Sequence, residues 1–304
     1  MAGLERIALG CGNFGGIGSA PAFFGQGENE AEAVTIMDAA WELSIRRFDT
    51  ADAYGGGRSE TWIGRWVAST GMRPAITTKT FNPTSEGADS GLGRERVLRQ
   101  VETSVERLGL DSIDLYLMHE APDVPVAEAV GAFEEVVASG RARAWGASNV
   151  NAAQLGEILE HGRPALVQNS FSLLDAADEQ DVIPLCAEHG IAYQAFGPLA
   201  GGWLTGKYRR GERYPAGSRM TQRPEGYRSF EDDRVFDGLD RLRAEAASRG
   251  MTMGALALAW ALSDPSVDSI VVGPRRPEHL QLVREAAAIS LAPGERATVR
   301  SWFP

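Results

Sequence analysis

Cysteine is scarce: there are two in 304 residues, Cys11 and Cys186, far apart and in no C-x-x-C spacing. That excludes a disulfide framework and a zinc ribbon, and it suits a reducing cytosol. No metal-ligand set is read. Long hydrophobic runs are also missing. The longest, residues 251–262, is well short of the ~20 residues a spanning helix needs and reads as a buried core helix. The first ten residues carry Glu5 and Arg6 and no apolar stretch, so no signal peptide is expected. Positive charge is outnumbered: 30 Lys and Arg stand against 41 Asp and Glu, a net charge of −11. A nucleic-acid or membrane partner is therefore not expected; the chain can still hold one local basic site. No Pro/Ser-rich linker or composition shift divides the chain, so one domain over residues 1–304 is expected, in a soluble cytoplasmic protein. The 43% hydrophobic and 23% charged content is that of a globular chain, not of a disordered, collagen-like or coiled-coil one.

What is present is a rhythm. Short β-rich runs at residues 7–11, 47–50, 75–79, 114–119, 142–147, 166–169, 191–196 and 269–272 alternate with amphipathic helical segments. In the segment 94–108, Val97, Leu98, Val101, Val105 and Leu108 share one face, and Gly109 sits where a helix-ending glycine belongs. Asn151 is placed to cap the helix that carries Leu155, Ile158 and Leu159, with Gly162 beyond it. Eight strand–helix units predict an α/β architecture, and the length fits a (β/α)8 TIM barrel; a doubly wound sheet is the alternative.

Residues 206–230 break the rhythm with a long stretch rich in Gly, Pro and Arg. They hold seven basic and two acidic residues, an excess that suits either an anionic ligand or a solvated loop. Two apparent motifs are discounted. Residues 10–15 match G-x-G-x-x-G, but no helix opens there; the first begins near Asn29. Residues 201–207 match G-x-x-x-x-G-K, but Tyr208 replaces the hydroxyl residue that would ligate magnesium.

Asp49, Tyr54, Lys79 and His119 each fall at or just beyond the C-terminal end of a predicted strand, on the second, third and fourth strands. In a parallel barrel those ends meet on one face, where barrel enzymes place their chemistry. An ammonium beside Tyr54 favours its phenolate and is expected to lower its pKa. Asp49 would hold Lys79, and His119 would donate to a carbonyl oxygen. Singly, each residue has an ordinary structural explanation; the ordered set across adjacent strand ends does not.

Those residues lie in segments that resemble the aldo-keto reductases over nearly the whole chain. Asp49-Thr50-Ala51-Asp52-Ala53-Tyr54-Gly55 is similar to the family's D-T-A-x-x-Y-G segment, and Lys79 closes the third strand as the family's lysine does. Leu115 to His119 resembles its L-x-x-x-H, Gly146-Ala147-Ser148-Asn149 its G-x-S-N, and Gln168-Asn169 the segment that follows. Phe196-Gly197-Pro198-Leu199 with Gly201, and Val272-Gly273 with Arg275 and Glu278, resemble its two later cofactor segments.

The resemblance implies a (β/α)8 barrel, a bound nicotinamide cofactor and Tyr54 as general acid/base. It implies that Ser148, Asn149 and Gln168 hold the carboxamide and that Phe196 stacks on the ring. Gly12, Gly197, Pro198, Leu199 and Gly201 join the candidate cofactor set, as do Lys207, Arg219, Gly273, Arg275 and His279. The cofactor that the resemblance implies is NADP(H), which is expected ahead of NAD(H); Arg275 and Arg276 could engage its 2′-phosphate, but neither decides between the two. Leu282 and Val283 stand where the family often has a polar Glu/Asn pair near the adenine. With no long loop after the last helix, substrate walls are expected from Phe23, Phe24, Trp203 and Tyr208, unless these are packing anchors.

The expected activity is NADPH-dependent reduction of a small aldehyde, ketone or sugar carbonyl. The alternatives are the same chemistry run oxidatively, a cofactor-binding regulatory subunit, and a Schiff-base aldolase using Lys79. Oligomeric state is left open.

Overall fold

The computed structural model describes residues 3–304. Eight parallel strands close on themselves in sequence order. They are β1 (Ile7–Gly10), β2 (Arg47–Asp49), β3 (Ala75–Thr80), β4 (Leu115–Met118), β5 (Trp145–Ser148), β6 (Leu166–Ser170), β7 (Ala192–Phe196) and β8 (Ser269–Val272). Closure is made by β8 returning to β1, with Ile7 opposite Ile270 and Leu9 opposite Val272. This is the (β/α)8 barrel; the doubly wound alternative is excluded by that closure. All eight expected strands form, each within a few residues of its predicted bounds.

Around the barrel run α1 (Glu30–Glu42), α2 (Arg58–Thr70), α3 (Arg94–Leu108), α4 (Val126–Ala138), α5 (Ala152–Leu159) and α6 (Val182–His189). After β7 come α7 (Arg219–Gln222), α8 (Asp233–Ser248) and α9 (Met253–Leu262), and after β8 come α10 (Gln281–Ala287) and α11 (Pro293–Arg300). The helices form where the sequence supplies caps and an apolar stripe. Asn29 and Glu32 make a reciprocal capping box on α1, and Asn151 and Gln154 make another on α5. In α3, Val97, Val101, Val105 and Leu108 are buried, and Gly109 ends the helix with φ 63°. The α5 helix stops at Leu159, ahead of Gly162.

The ten residues of α9 are all buried, because the helix packs between α8 and α10. Its Trp260 stacks on Phe171 with ring centres 5.2 Å apart. No helix among the described residues is long and apolar enough to cross a membrane.

The connection from β7 to α8 is the longest. Trp203 anchors it within a cluster formed by Tyr208, Tyr214, Phe230 and Phe236. Its far end reaches across the barrel mouth: Arg219 donates to Asn13 Oδ1 at 2.5 Å and Arg223 to the Ile17 carbonyl at 3.2 Å. The stretch read as aperiodic thus holds one short helix and two ties to the loop after β1.

Candidate active site

The strand ends bring the four predicted chemical residues together. Asp49 ends β2, Lys79 lies one residue before the end of β3, and His119 follows β4 directly. Tyr54 stands on a tight turn five residues after Asp49. That turn depends on Gly55, which has φ 60° and whose absent Cβ would lie 2.4 Å from the Phe14 carbonyl oxygen. Only glycine permits both the left-handed backbone and the close approach.

Lys79 Nζ donates to Asp49 Oδ1 at 2.5 Å and to the Thr50 carbonyl at 3.0 Å, with both side chains buried. The ammonium lies 5.3 Å from the centre of the Tyr54 ring. Tyr54 Oη is 3.5 Å from His119 Nε2.

The electrostatics follow from burial. Burial pushes the Tyr54 phenol up; Lys79 pulls it back, but not fully, so its pKa lies above the ordinary value. This corrects the expectation that Lys79 would lower it: removal from water penalises the phenolate more than the neighbouring cation favours it. For Lys79, burial lowers the ammonium, while Asp49 and Tyr54 together raise it, and the net direction is up. His119 is lowered well below its usual value by burial and then by Lys79, so it stays neutral. The group at neutral pH is therefore a phenol, an ammonium–carboxylate pair and a neutral imidazole.

A polar chain crosses the barrel interior behind them. Gln168 Nε2 donates to Asp49 Oδ2 and to Gln194 Oε1, both at 2.7 Å, and Gln194 Nε2 donates to Ser269 Oγ at 2.8 Å. Gln168 therefore offers a ligand only its oxygen, the nitrogen being engaged on two sides. Gln194 and Ser269 escaped sequence reading; two polar side chains inside otherwise apolar buried strands were the available signal. Ser148 is buried at the end of β5. Asn149 follows it with φ 56° and donates from Nδ2 to the His119 carbonyl at 2.8 Å, which ties the β5 end to the β4 end. Phe196 is half-buried at the end of β7.

Farther out, a basic rim assembles from segments distant in sequence. Lys207 and Arg219 come from the long connection, and Arg275 and His279 from just beyond β8. Burial, then Arg219 and Arg275, lower the Lys207 ammonium. Burial, then Arg276 and Lys207, lower the His279 imidazole, whose Nδ1 accepts from the Arg275 backbone at 3.2 Å.

Arg275 Nε donates to Glu28 Oε1 at 2.7 Å, and its Nη1 donates to the Gly217 carbonyl at 2.6 Å. Glu28 is 4% exposed, and its second oxygen has no partner among the described residues. Sequence reading missed Glu28, since nothing local marks a glutamate just before a helix cap as buried.

Gly197 and Gly273 are exposed at strand ends, and Pro198, Leu199 and Gly201 lead into the long connection. Gly12 lies against the Tyr54 ring, which would be 3.4 Å from a Cβ at this position. Phe23 and Phe24 are half-buried in the loop after β1; Phe24 packs on Gly56, beside the Tyr54 turn. Trp203 and Tyr208 are the packing anchors of the two alternatives: they are 0% and 1% exposed inside the aromatic cluster, so they line no open wall, and Trp203 leaves the candidate substrate set.

A family model described as the Aldo/keto reductase family matches residues 6–302. The chain is 31% identical to the NADH-specific methylglyoxal reductase of Escherichia coli (strain K12), over 98% of this chain and 94% of that one. It is also 31% identical to a probable voltage-gated potassium channel subunit beta of Arabidopsis thaliana, over 85% and 82% of the two chains. Among solved structures, the glycerol dehydrogenase of Gluconobacter oxydans superposes with a TM-score of 0.83 at 26% identity, covering 98% of this chain and 90% of that one.

Proposed function

The chain belongs to the aldo/keto reductase family, and from that premise we propose that it reduces a small aldehyde, ketone or sugar carbonyl to the alcohol, using a nicotinamide cofactor. The observation that carries the reading is the Tyr54 hydroxyl set between His119 Nε2 and the buried Lys79–Asp49 pair.

The residues present suit a dinucleotide. The rim gathers Lys207, Arg219 and Arg275, and the mutual repulsion of these cations calls for an anion. The free Gln168 oxygen and the Asn149 amide at the strand ends suit a carboxamide, and Phe196 suits a flat ring. When bound, the cofactor supplies the hydride that goes to the carbonyl carbon.

The protein's part is positioning and proton transfer. The neutral His119 ring, beside Tyr54, holds the carbonyl oxygen. Tyr54 gives its proton to that oxygen as the alcohol forms. Lys79 then stabilises the phenolate left behind, Asp49 keeps Lys79 charged and in place, and solvent returns the proton to Tyr54. Such acid catalysis is worth about 10²–10⁴-fold. Run backwards, the same groups would serve alcohol oxidation, with the phenolate as base.

The family resemblance favours NADP(H), whereas Arg275, a candidate for the 2′-phosphate, is engaged by Glu28. Both NADPH and NADH are therefore to be tested. A regulatory role draws support only from the similarity to the potassium channel subunit. The deciding experiment follows oxidation of NADPH and NADH against small aldehydes, ketones and sugars. Turnover is expected in the native chain. Tyr54→Phe should lower kcat by at least about 10² while cofactor affinity holds. A Tyr54→Phe variant that turned over normally would sink the mechanism, and cofactor binding without turnover on any carbonyl would favour the regulatory reading.

A further inference from the structure

The basic rim contains one buried carboxylate, Glu28, and its placement carries a consequence for which nicotinamide cofactor the chain takes. Glu28 sits 247 residues from Arg275 in sequence, yet its Oε1 accepts from Arg275 Nε at 2.7 Å. Arg275 is engaged on further sides: Nη1 donates to the Gly217 carbonyl at 2.6 Å and reaches Gln222 Oε1 at 3.4 Å. Two of the three guanidinium nitrogens, Nε and Nη1, are therefore already engaged by an acid, a carbonyl and an amide.

Building on the nicotinamide-dependent reading above, we infer that Glu28 is a cofactor-selecting residue: it occupies Arg275 and so favours NAD(H) over NADP(H). Three points support this. Charge comes first. The Glu28 carboxylate is paired with Arg275 and acts on Arg219 as well, so it cancels one of the rim's positive charges. A 2′-phosphate brings about 1.5–2 negative charges beyond those of the diphosphate bridge, and a guanidinium already paired with an acid attracts it less.

Donor and acceptor chemistry is the second point. Glu28 Oε2 is buried and lacks a donor among the described residues. A ribose hydroxyl is a donor, whereas a phosphate dianion offers only acceptors and would repel it. Burial also raises the Glu28 pKa, with Arg275 acting in the opposite direction, so the carboxylate is costly to keep charged there and depends on Arg275. Pulling Arg275 away to serve a phosphate would strand it.

The third point is rigidity. Glu28 precedes the capped start of α1 and its backbone N–H donates to the Asn13 carbonyl at 2.9 Å, while Asn13 Oδ1 accepts from Arg219. The acid and two of the three cations thus belong to one bonded cluster, and moving one disturbs the others.

Isothermal titration of the full chain with NAD⁺ and with NADP⁺, in the absence of any carbonyl substrate, tests the inference. The native protein is expected to bind NAD⁺ about tenfold more tightly than NADP⁺, a difference of about 1.4 kcal/mol. E28Q keeps an acceptor for Arg275 and removes the charge. It should tighten NADP⁺ about tenfold while moving NAD⁺ by less than about threefold. Tighter NADP⁺ than NAD⁺ binding by the native protein overturns the inference without reference to any variant. So does an E28Q that shifts both cofactors equally, or neither. If the native protein binds no nicotinamide dinucleotide at all, the underlying reading falls together with this one.

Discussion

Inside the barrel one ammonium meets one carboxylate: Lys79 and Asp49 lie 2.5 Å apart, both shut away from water. At the rim, Lys207, Arg219 and Arg275 share a single acid, Glu28, and Arg275 is still 42% exposed. The difference shows how depth governs charge design. A buried ion must be matched almost one for one, because its desolvation is repaid only by a close partner. Near solvent, an unmatched excess is tolerable and becomes a means of attracting an anion. Under the proposed function, the inner group moves a proton among fixed charges and the rim receives a charged ligand.

The largest test of this contrast removes one cation from each place. Lys79→Met should strand Asp49 in the interior, destabilise the fold by about 3–5 kcal/mol and lower kcat by about 10²–10⁴. Lys207→Met should leave thermal stability within about 0.5 kcal/mol of native and weaken cofactor binding alone. Denaturation curves and cofactor titrations of the two variants would have to look alike for the contrast to be wrong.

The next effect is pH dependence. Burial holds the Tyr54 phenol above its ordinary pKa, so the protonated form needed for reduction persists through neutral pH. Reduction should be flat from about pH 6 to 9, whereas alcohol oxidation, which needs the phenolate, should climb about tenfold per pH unit. Initial rates in both directions would reveal it; a reduction rate already falling at about pH 7–8 would mean that Lys79 outweighs burial after all.

The smallest effect concerns a third cluster, outside the barrel wall. Asp52, Glu60, Arg96 and Arg107 are matched two against two, yet Asp52 Oδ1 has no partner among the described residues. Asp52 accepts from Thr80 Oγ1 at 2.6 Å, and burial followed by Glu60 pushes its pKa to about 7. The native state then holds a proton that the unfolded chain releases near the ordinary carboxyl value. Stability from this group is full below about pH 4 and lost as pH rises to about 7. Asp52→Asn keeps the acceptor for Thr80 and should therefore gain on the native protein across that window, by on the order of 1–3 kcal/mol. Parallel urea titrations at about pH 5 and pH 8 measure it, and a constant gap between the two proteins would refute a neutral Asp52.

Much of this was legible along the chain because it is local. The period of Val97, Val101 and Val105, the Gly109 stop and the Asn151 cap act within a few residues, and each helix follows them. Asp49, Tyr54, Lys79 and His119 were legible as strand-end residues because parallel strands carry all their ends to one face. Trp203 was ambiguous, since an aromatic in a Gly-rich loop looks the same in sequence whether it faces a ligand or four other rings. Glu28 was invisible because its partner lies far away in sequence, whereas Gln194 was marked only by being polar inside an apolar strand.

The sequence by itself determined the alternation of eight strands with helices, the caps that start and stop them, and the identity of the four groups gathered at the barrel mouth. These rest on periodicity and on short-range bonding. Only the tertiary structure decided that Tyr54 is held as a phenol, that Arg275 is already engaged by Glu28, and that Gln168 joins Asp49 to the far side of the barrel. Desolvation and charge pairing depend on which groups share a volume from which water is excluded, and that volume exists only once the barrel has closed.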